Sequence, residues 1–348
     1  MDPQVTQDIG EVLNRVEDLR KYAEDKTILI SGGAGFLGSW FSDILLGLGS
    51  KVIAVDNLIT GSKDNISHLI DDENFKFVDH DVSTFSTNEK IDYIIHMSAI
   101  ASTPLYQKHP LATLDSNILG IKNMLLLARK KQVKRFLFTS TSEIYGSPPD
   151  DKIPTTEEYY GYVNSYGPRS MYDEAKRAAE SYCYSYWKQF KLPIRVARIF
   201  NTYGPRLDVR ETSHYGRALV KFIVRALEHQ PIAAYGDGKQ TRSFCYVTDQ
   251  MVGLTRLLLT PQIDGEVVNI GNGQEVTILE LIRRIIEKTS SRSKLDIDAK
   301  PDFDLGDDPR RRCPDLSKAK RLFGYEPKVD LDEGLARTIR WFKTQKGD

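Results

Sequence analysis

A lysine four residues after a tyrosine, in SMYDEAK, puts Tyr172 and Lys176 on one face of a helix. An ammonium beside a phenol stabilises the phenolate, so the pair is expected to supply a base near neutral pH. Such a base suits removal of a hydroxyl proton while hydride leaves the same carbon. Upstream, RFLFTSTSEIYG runs from an apolar strand into Thr141, Ser142 and Glu143. These hydroxyls and one carboxylate fall at a strand's C-terminal end, where open α/β sheets bind ligands. A Tyr and a Lys at that spacing also occur on a solvated helix face, so the chemistry depends on what else the chain supplies.

It supplies a dinucleotide site. TILISGGAGFLGSWFSDILLGLG reads as strand, glycine-rich turn and helix. Gly32 permits the tight turn, Gly35 lets backbone N–H groups approach a pyrophosphate, and Gly38 allows close helix-to-strand packing. Phe36 and Leu37 open the helix, whose N-terminus receives the anion. The next strand, KVIAVD, ends in Asp56, followed by Asn57. A carboxylate there accepts hydrogen bonds from an adenosine ribose and repels a 2′-phosphate, so the expected cofactor is NAD. NFKFVDHDV is expected to form a third strand ending in Asp81, which with Val82 would meet the adenine. IDYIIHMSAIAS gives a fourth, with small residues at Ser98 and Ala99 where backbone passes the dinucleotide. His96 lies within that apolar strand and reads as a satisfied core histidine. HPLATLDSNILGIKNMLLLARKK has the periodicity and length of a long helix with a basic C-terminal end. Strand and helix thus alternate, which predicts an α/β fold with a doubly wound, mostly parallel Rossmann sheet.

Composition narrows the alternatives. The chain has 348 residues, room for a nucleotide-binding domain and a smaller one. Lys+Arg and Asp+Glu are both 48, so no bulk field favours nucleic acid or an anionic membrane. The cysteines, Cys183, Cys245 and Cys313, are odd in number and lack ligand spacing, which predicts neither disulfides nor a metal site. With no apolar run of spanning length and no leader-like segment, a soluble cytoplasmic protein is expected. Val5, Ile9, Val12, Val16 and Leu19 predict an amphipathic helix over residues 5–25, packed on its own domain. The expected division is a helical extension at 1–25, an NAD-binding domain at 26–204 to which 239–270 returns, and a smaller α/β substrate-binding domain at 205–238 and 271–348. TRSFCYV is expected to be a strand rejoining the main body, and Thr277 with Glu280 a capping box opening a helix. Tyr235 reads equally as a base-stacking residue or a core aromatic.

GGAGFLG, TSTSEIYG, YGYVNSYGPRSMYDEAKR, RIFNTYGPR, YGDGKQTRSF and DDPRRRCPD together resemble the extended short-chain dehydrogenase/reductase family of nucleotide-sugar enzymes, from Lys26 onward. The resemblance implies bound NAD, a UDP-sugar substrate and a homodimer built from helices around residues 110–131 and 170–190. It also implies sugar-nucleotide contacts from Tyr106, Arg169 and Asn201, a diphosphate contact from Arg242, and Arg312 beside a hexuronate carboxylate. Without it, Arg310 to Arg312 reads as a solvated charge run. The residue after Thr141 discriminates reactions. The related 4,6-dehydratases carry an aspartate there as acid for the departing hydroxyl, and simple 4-epimerases usually lack the glutamate that follows. Here Ser142 and Glu143 resemble the branch that decarboxylates UDP-glucuronate to UDP-xylose. Once the 4-hydroxyl is oxidised, the carboxylate on carbon 5 belongs to a β-keto acid, whose loss of carbon dioxide needs support for an enolate and then a proton. The expected roles are Tyr172 as base, primed by Lys176 and bridged by Thr141, with Glu143 and Arg312 supporting the enolate and its reprotonation. A 4-epimerase, a 4,6-dehydratase and a non-catalytic sugar-nucleotide binder remain as alternatives. The segment after Arg206, LDVRETSHYGRALVKFI, is longer than the decarboxylase pattern and is expected to bear on the choice of sugar.

Overall fold

The computed structural model describes residues 1–207, 218–300, 304, 306 and 308–346. Residues 208–217, which belong to the longer segment after Arg206, lie outside them. Seven strands form the central sheet: β1 (Thr27–Ser31), β2 (Lys51–Asp56), β3 (Phe75–Asp79), β4 (Tyr93–His96), β5 (Arg135–Thr141), β6 (Ile194–Ile199) and β7 (Val267–Ile270). All pair in parallel, in the order β7-β6-β5-β4-β1-β2-β3. The order reverses between β1 and β4, and that reversal opens a crevice at the strands' C-terminal ends.

The strands are nearly continuous apolar runs because both faces are covered. Alternate residues feed separate cores: Ile28, Ile30, Val52, Ala54 and Leu137 face one, while Leu29, Ile53, Val55, Phe136 and Phe138 face the other. The helices Pro110–Lys131 and Ser170–Phe190 pack together over the second face. The first face carries the helices Phe36–Gly47 and Val247–Leu259, with the N-terminal helix packed on both.

That N-terminal segment is not one continuous helix. It runs Pro3–Val16, passes through a 3-10 turn at Glu17–Leu19 and ends in a short helix, Arg20–Ala23. Val5, Ile9, Val12, Val16 and Leu19 are buried nonetheless, since the break redirects the chain without turning its apolar face outward. The segment is pinned to the body by buried polar groups: Asp8 accepts from Tyr246 Oη at 2.5 Å and pairs with Arg337 at 2.9 Å, and Arg15 pairs with Asp249 at 2.6 Å.

Three further expectations are corrected. β3 ends at Asp79, so Asp81 lies in the following turn, where its carboxylate accepts from Ser83 N at 2.8 Å. TRSFCYV is two short strands rather than one, and only the second returns to the main body, without entering the central sheet. Thr241–Ser243 pairs antiparallel with Glu275–Thr277, and Cys245–Tyr246 pairs with Thr202–Tyr203. Thr277 Oγ1 does cap Glu280 N at 3.1 Å, but the Glu280 carboxylate turns to Arg284 rather than back to the cap. The rest of this region comprises the helices Ala218–Leu227 and Ile278–Lys288, with the strand Ile232–Tyr235 paired to Leu295–Ala299.

Candidate active site

Every residue singled out from the sequence for cofactor, substrate or catalysis lines one cleft of about 1140 Å³ at the crevice. Its floor is the turn after β1. Gly32 has φ +75°, and a Cβ there would stand 3.0 Å from Ser98 N, so β1 and β4 approach backbone to backbone. At Gly38 a Cβ would lie 2.1 Å from Gly32 O, which leaves no room for any side chain under the turn. Phe36 and Leu37 begin the helix, with Gly35 as its N-cap. Asp56 closes β2. Its carboxylate accepts from Leu58 N at 2.8 Å and Ala34 N at 3.0 Å, contacts that oppose the upward push of burial on its acidity. Asn57 donates to Asp81 at 3.4 Å, and Val82, Ser98 and Ala99 complete this part of the lining.

β5 and the helix Ser170–Phe190 supply the acid–base groups. Lys176 is buried, and its Nζ donates to Thr139 O at 3.0 Å and stands 5.9 Å from the centroid of the Tyr172 ring. Burial pushes the Lys176 ammonium down to about 8. Tyr172 stacks on Tyr106 with centroids 5.5 Å apart and planes within 2°. The Tyr106 hydroxyl is buried and has no hydrogen-bond partner among the described residues, although Thr103 is near. Thr141 Oγ1 accepts from Glu143 N at 3.2 Å, capping the 3-10 turn Ser142–Tyr145 and fixing where Glu143 points. Ser142 is buried in the same turn. His96 is a core histidine, bonded through Nδ1 to Ser31 Oγ at 2.6 Å, and burial, then the Lys176 charge, push it down to about 3.

Beyond Tyr172 the cleft is lined by Arg169, Arg242 and Arg312 together with Glu143 and Asp308. Glu143 is clamped between Arg169 Nη2 and Arg312 Nη1. Burial alone would raise its carboxyl, but Arg312 and Arg169, with Arg242 behind them, hold it at about 2. As clamped, Glu143 accepts from both guanidiniums and fixes where they point. Arg312 is buried, and its Nε has no partner among the described residues. Arg310 and Arg311 instead face outward, to Asp237 at 2.9 Å and Glu275 at 2.6 Å. Arg242 donates to Asp308 at 2.6 Å, and Asn201 Nδ2 donates to Ser243 O at 3.2 Å. Tyr235 lines the same wall.

Sequence reasoning missed two acids here. Asp173 lies 3.5 Å from Arg169 with its Oδ1 buried and without a partner among the described residues, and burial, then the Glu143 charge, push its carboxyl up to about 7. The four-residue spacing from Arg169 was a usable signal. Asp308 bridges Arg242 and Arg169, a pairing that no local pattern encodes. Arg206, in the NTYGPR motif, was also overlooked: it ties this wall to the cofactor half through Asp43 at 2.5 Å, beside His68. Among the described residues no group of His, Cys, Asp and Glu could hold a metal ion, and no helix is long and apolar enough to cross a membrane.

The fold and the Tyr–Lys pair above a glycine-rich turn define an enzyme of the nucleotide-sugar short-chain dehydrogenase/reductase class. The family described as GDP-mannose 4,6 dehydratase matches residues 29–338, and the chain belongs to that family. It is 44% identical over 320 residues to UDP-glucuronic acid decarboxylase 1 of Xenopus tropicalis, covering 92% of this chain and 73% of that one. UDP-glucuronic acid decarboxylase 6 of Arabidopsis thaliana is 42% identical over 327 residues, 94% of this chain and 91% of the relative. Among solved structures, the UDP-glucuronic acid 4-epimerase of Bacillus cereus, in complex with NAD and a fluorinated UDP-glucuronic acid, superposes with a TM-score of 0.80 at 28% identity, over 92% of this chain and 99% of that one. The UDP-glucose 4-epimerase of Thermotoga maritima, with UDP-glucose, gives 0.81 at 30% identity, over 92% and 99%.

Proposed function

We propose that the chain is an NAD-dependent UDP-glucuronate decarboxylase: it oxidises carbon 4 of the sugar, releases the carbon-5 carboxylate as carbon dioxide and reduces carbon 4 again, giving UDP-xylose. The observation that carries the reading is Arg312. A buried guanidinium lines the cleft with one arm on Glu143 and an Nε that has no partner among the described residues, the donor a hexuronate carboxylate requires. The relatives that are decarboxylases support the same choice. Ser142 in place of an acid argues against dehydration.

The residues fit NAD. Gly32 and Gly38 leave backbone bare where side chains would collide, and Asp56 puts a carboxylate where a 2′-phosphate would be repelled. The chemistry NAD supplies when bound is reversible acceptance of a hydride. Tyr172 takes the proton of the 4-hydroxyl, helped by the Lys176 charge. Thr141, whose Oγ1 is already engaged by Glu143 N, keeps its O–H to donate toward that hydroxyl. The Arg169 and Arg312 guanidiniums then supply positive potential to the enolate left by decarboxylation, and carbon 5 takes up one proton from solvent water, so that one proton is consumed for each carbon dioxide released. Tyr172 returns its proton as carbon 4 is reduced.

The partner is a second copy of the chain. Leu111, Leu119 and Leu126 recur at seven- to eight-residue spacing on the helix Pro110–Lys131 and are 74%, 47% and 46% exposed, with Tyr184 exposed on the neighbouring helix. Three free, buried cysteines suit a reducing cytoplasm. Arg312→Gln tests the reading. It should stop carbon dioxide release while leaving carbon-4 oxidation, so reduced nicotinamide accumulates in a single turnover; undiminished release would contradict it.

A further inference from the structure

Asp308 sits where its charge is least expected in an enzyme for anionic substrates. Its Oδ2 accepts from Arg242 Nη2 at 2.6 Å and its Oδ1 from Arg169 Nη1 at 3.5 Å. Both arginine side chains are 10% exposed, whereas the Asp308 side chain is 33% exposed. The cations are therefore fixed parts of the wall, and the carboxylate is the member of the cluster nearest solvent. Arg242 is held from the other side, its Nη1 donating to the carbonyls of Thr241 at 2.8 Å and Arg310 at 3.4 Å. Among the described residues only its Nη2 arm meets an acid. A carboxylate that offers one oxygen to each of two guanidiniums satisfies them as two oxygens of a phosphate would.

The backbone allows this carboxylate to leave. Downstream, Thr241 N donates to Arg310 O at 3.0 Å and Ser243 N to Arg312 O at 3.2 Å, so the chain is locked to a strand from Arg310 onward. Upstream, Asp304 is held by Gln107 through its carbonyl at 2.6 Å and its N–H at 3.1 Å. Asp308 lies between these anchors, and a side-chain rotation takes its carboxylate off both arginines without unlocking Arg312.

We propose that Asp308 is an internal stand-in for the substrate's diphosphate, holding Arg242 and Arg169 in place until an arriving nucleoside diphosphate displaces it. Asp308 is thus a specificity and positioning residue. It sets a threshold that a ligand must pass by bringing more negative charge than one carboxylate. Its departure also frees an arm of Arg169, the arginine that clamps Glu143, so arrival of the diphosphate is coupled to the arrangement of charges at the sugar's carboxylate. The inference rests on the sugar-nucleotide reading of the site, though not on the decarboxylation itself.

The test is titration calorimetry of the full protein with UDP, UMP and uridine, comparing the natural chain with Asp308→Asn and Asp308→Glu. Asp308→Asn should bind UDP about two- to fivefold more tightly, the worth of one partly exposed ion pair. The gain should shrink for UMP, vanish for uridine and diminish with added salt. Asp308→Glu, which keeps the competing charge, should show no gain. Damage to the fold lowers affinity rather than raising it, so tighter binding cannot come from misfolding. Equal or weaker UDP binding by a normally melting Asp308→Asn would overturn the role of Asp308 alone; binding of UDP by none of the three would overturn it together with the sugar-nucleotide reading.

Discussion

Glu143→Gln removes one charge and little volume, and the site's electrostatics predict how much that matters. The carboxyl is held at about 2 against an ordinary 4.5, in spite of burial, because Arg312 and Arg169 clamp it. At about 1.4 kcal/mol per unit, that preference for the ion is worth roughly 3 kcal/mol. A glutamine keeps one acceptor, but it turns an amide N–H₂ toward a guanidinium and leaves two buried cations under-neutralised. The variant should therefore lose about 3 kcal/mol of unfolding free energy at pH 7, read by urea denaturation.

The sign of the pH dependence is fixed as well. A carboxyl depressed in the folded state contributes stability that is fully present above its unfolded value and is lost as pH falls through the folded one. The gap between natural chain and variant should be widest at neutral pH and about 1 kcal/mol smaller by pH 4. At neutral pH the same variant should lose carbon dioxide release far more than UDP affinity. A gap that is absent at pH 7, or that grows on acidification, would refute the clamp.

Three other substitutions probe the remaining parts. Tyr172→Phe should lower turnover by about a hundred- to ten-thousandfold, the worth of a positioned base, while NAD stays bound; fluorescence titration of NAD beside the rate assay checks both. Asp173, raised to about 7 by burial and then by Glu143, favours the folded state below the unfolded value, and that contribution is lost as pH rises through the folded one. Asp173→Asn escapes this, so melting curves of the two proteins should diverge in the variant's favour from pH 5 to pH 8, and parallel curves would contradict the assignment. Gly38→Ala sets a methyl 2.1 Å from Gly32 O and should weaken NAD binding more than tenfold, together with a lower melting temperature.

Much of this architecture is legible in the sequence because it is locally encoded. Apolar runs such as TILIS and KVIAV, each followed by a helical pattern, specify parallel strands covered on both faces. The glycine turn, Asp56 and the Tyr172–Lys176 spacing announce the cofactor site by themselves. What the residues alone do not reveal depends on long-range register. Arg310, Arg311 and Arg312 are chemically equal in sequence, and pairing of this segment with Thr241–Ser243 decides that Arg312 turns inward while Arg310 is 68% exposed. There the family resemblance, not periodicity, pointed to the arginine that turns inward. Asp308 meets arginines 66 and 139 positions away, and no window of the chain contains that contact. Asp173 was within reach, one residue beyond Tyr172 and four beyond Arg169, but an acid on a helix reads as solvated until burial is known. The break after Val16 escaped notice because the apolar residues keep their face through the 3-10 turn.

The central claim is decarboxylation, and one incubation tests it: purified protein with UDP-glucuronate and trace NAD, following carbon dioxide and the mass of the sugar nucleotide. Release of carbon dioxide with a UDP-pentose of the xylose configuration is the predicted result. A product of unchanged mass inverted at carbon 4, with no carbon dioxide, would make the chain a uronate epimerase and contradict the role given to Arg312.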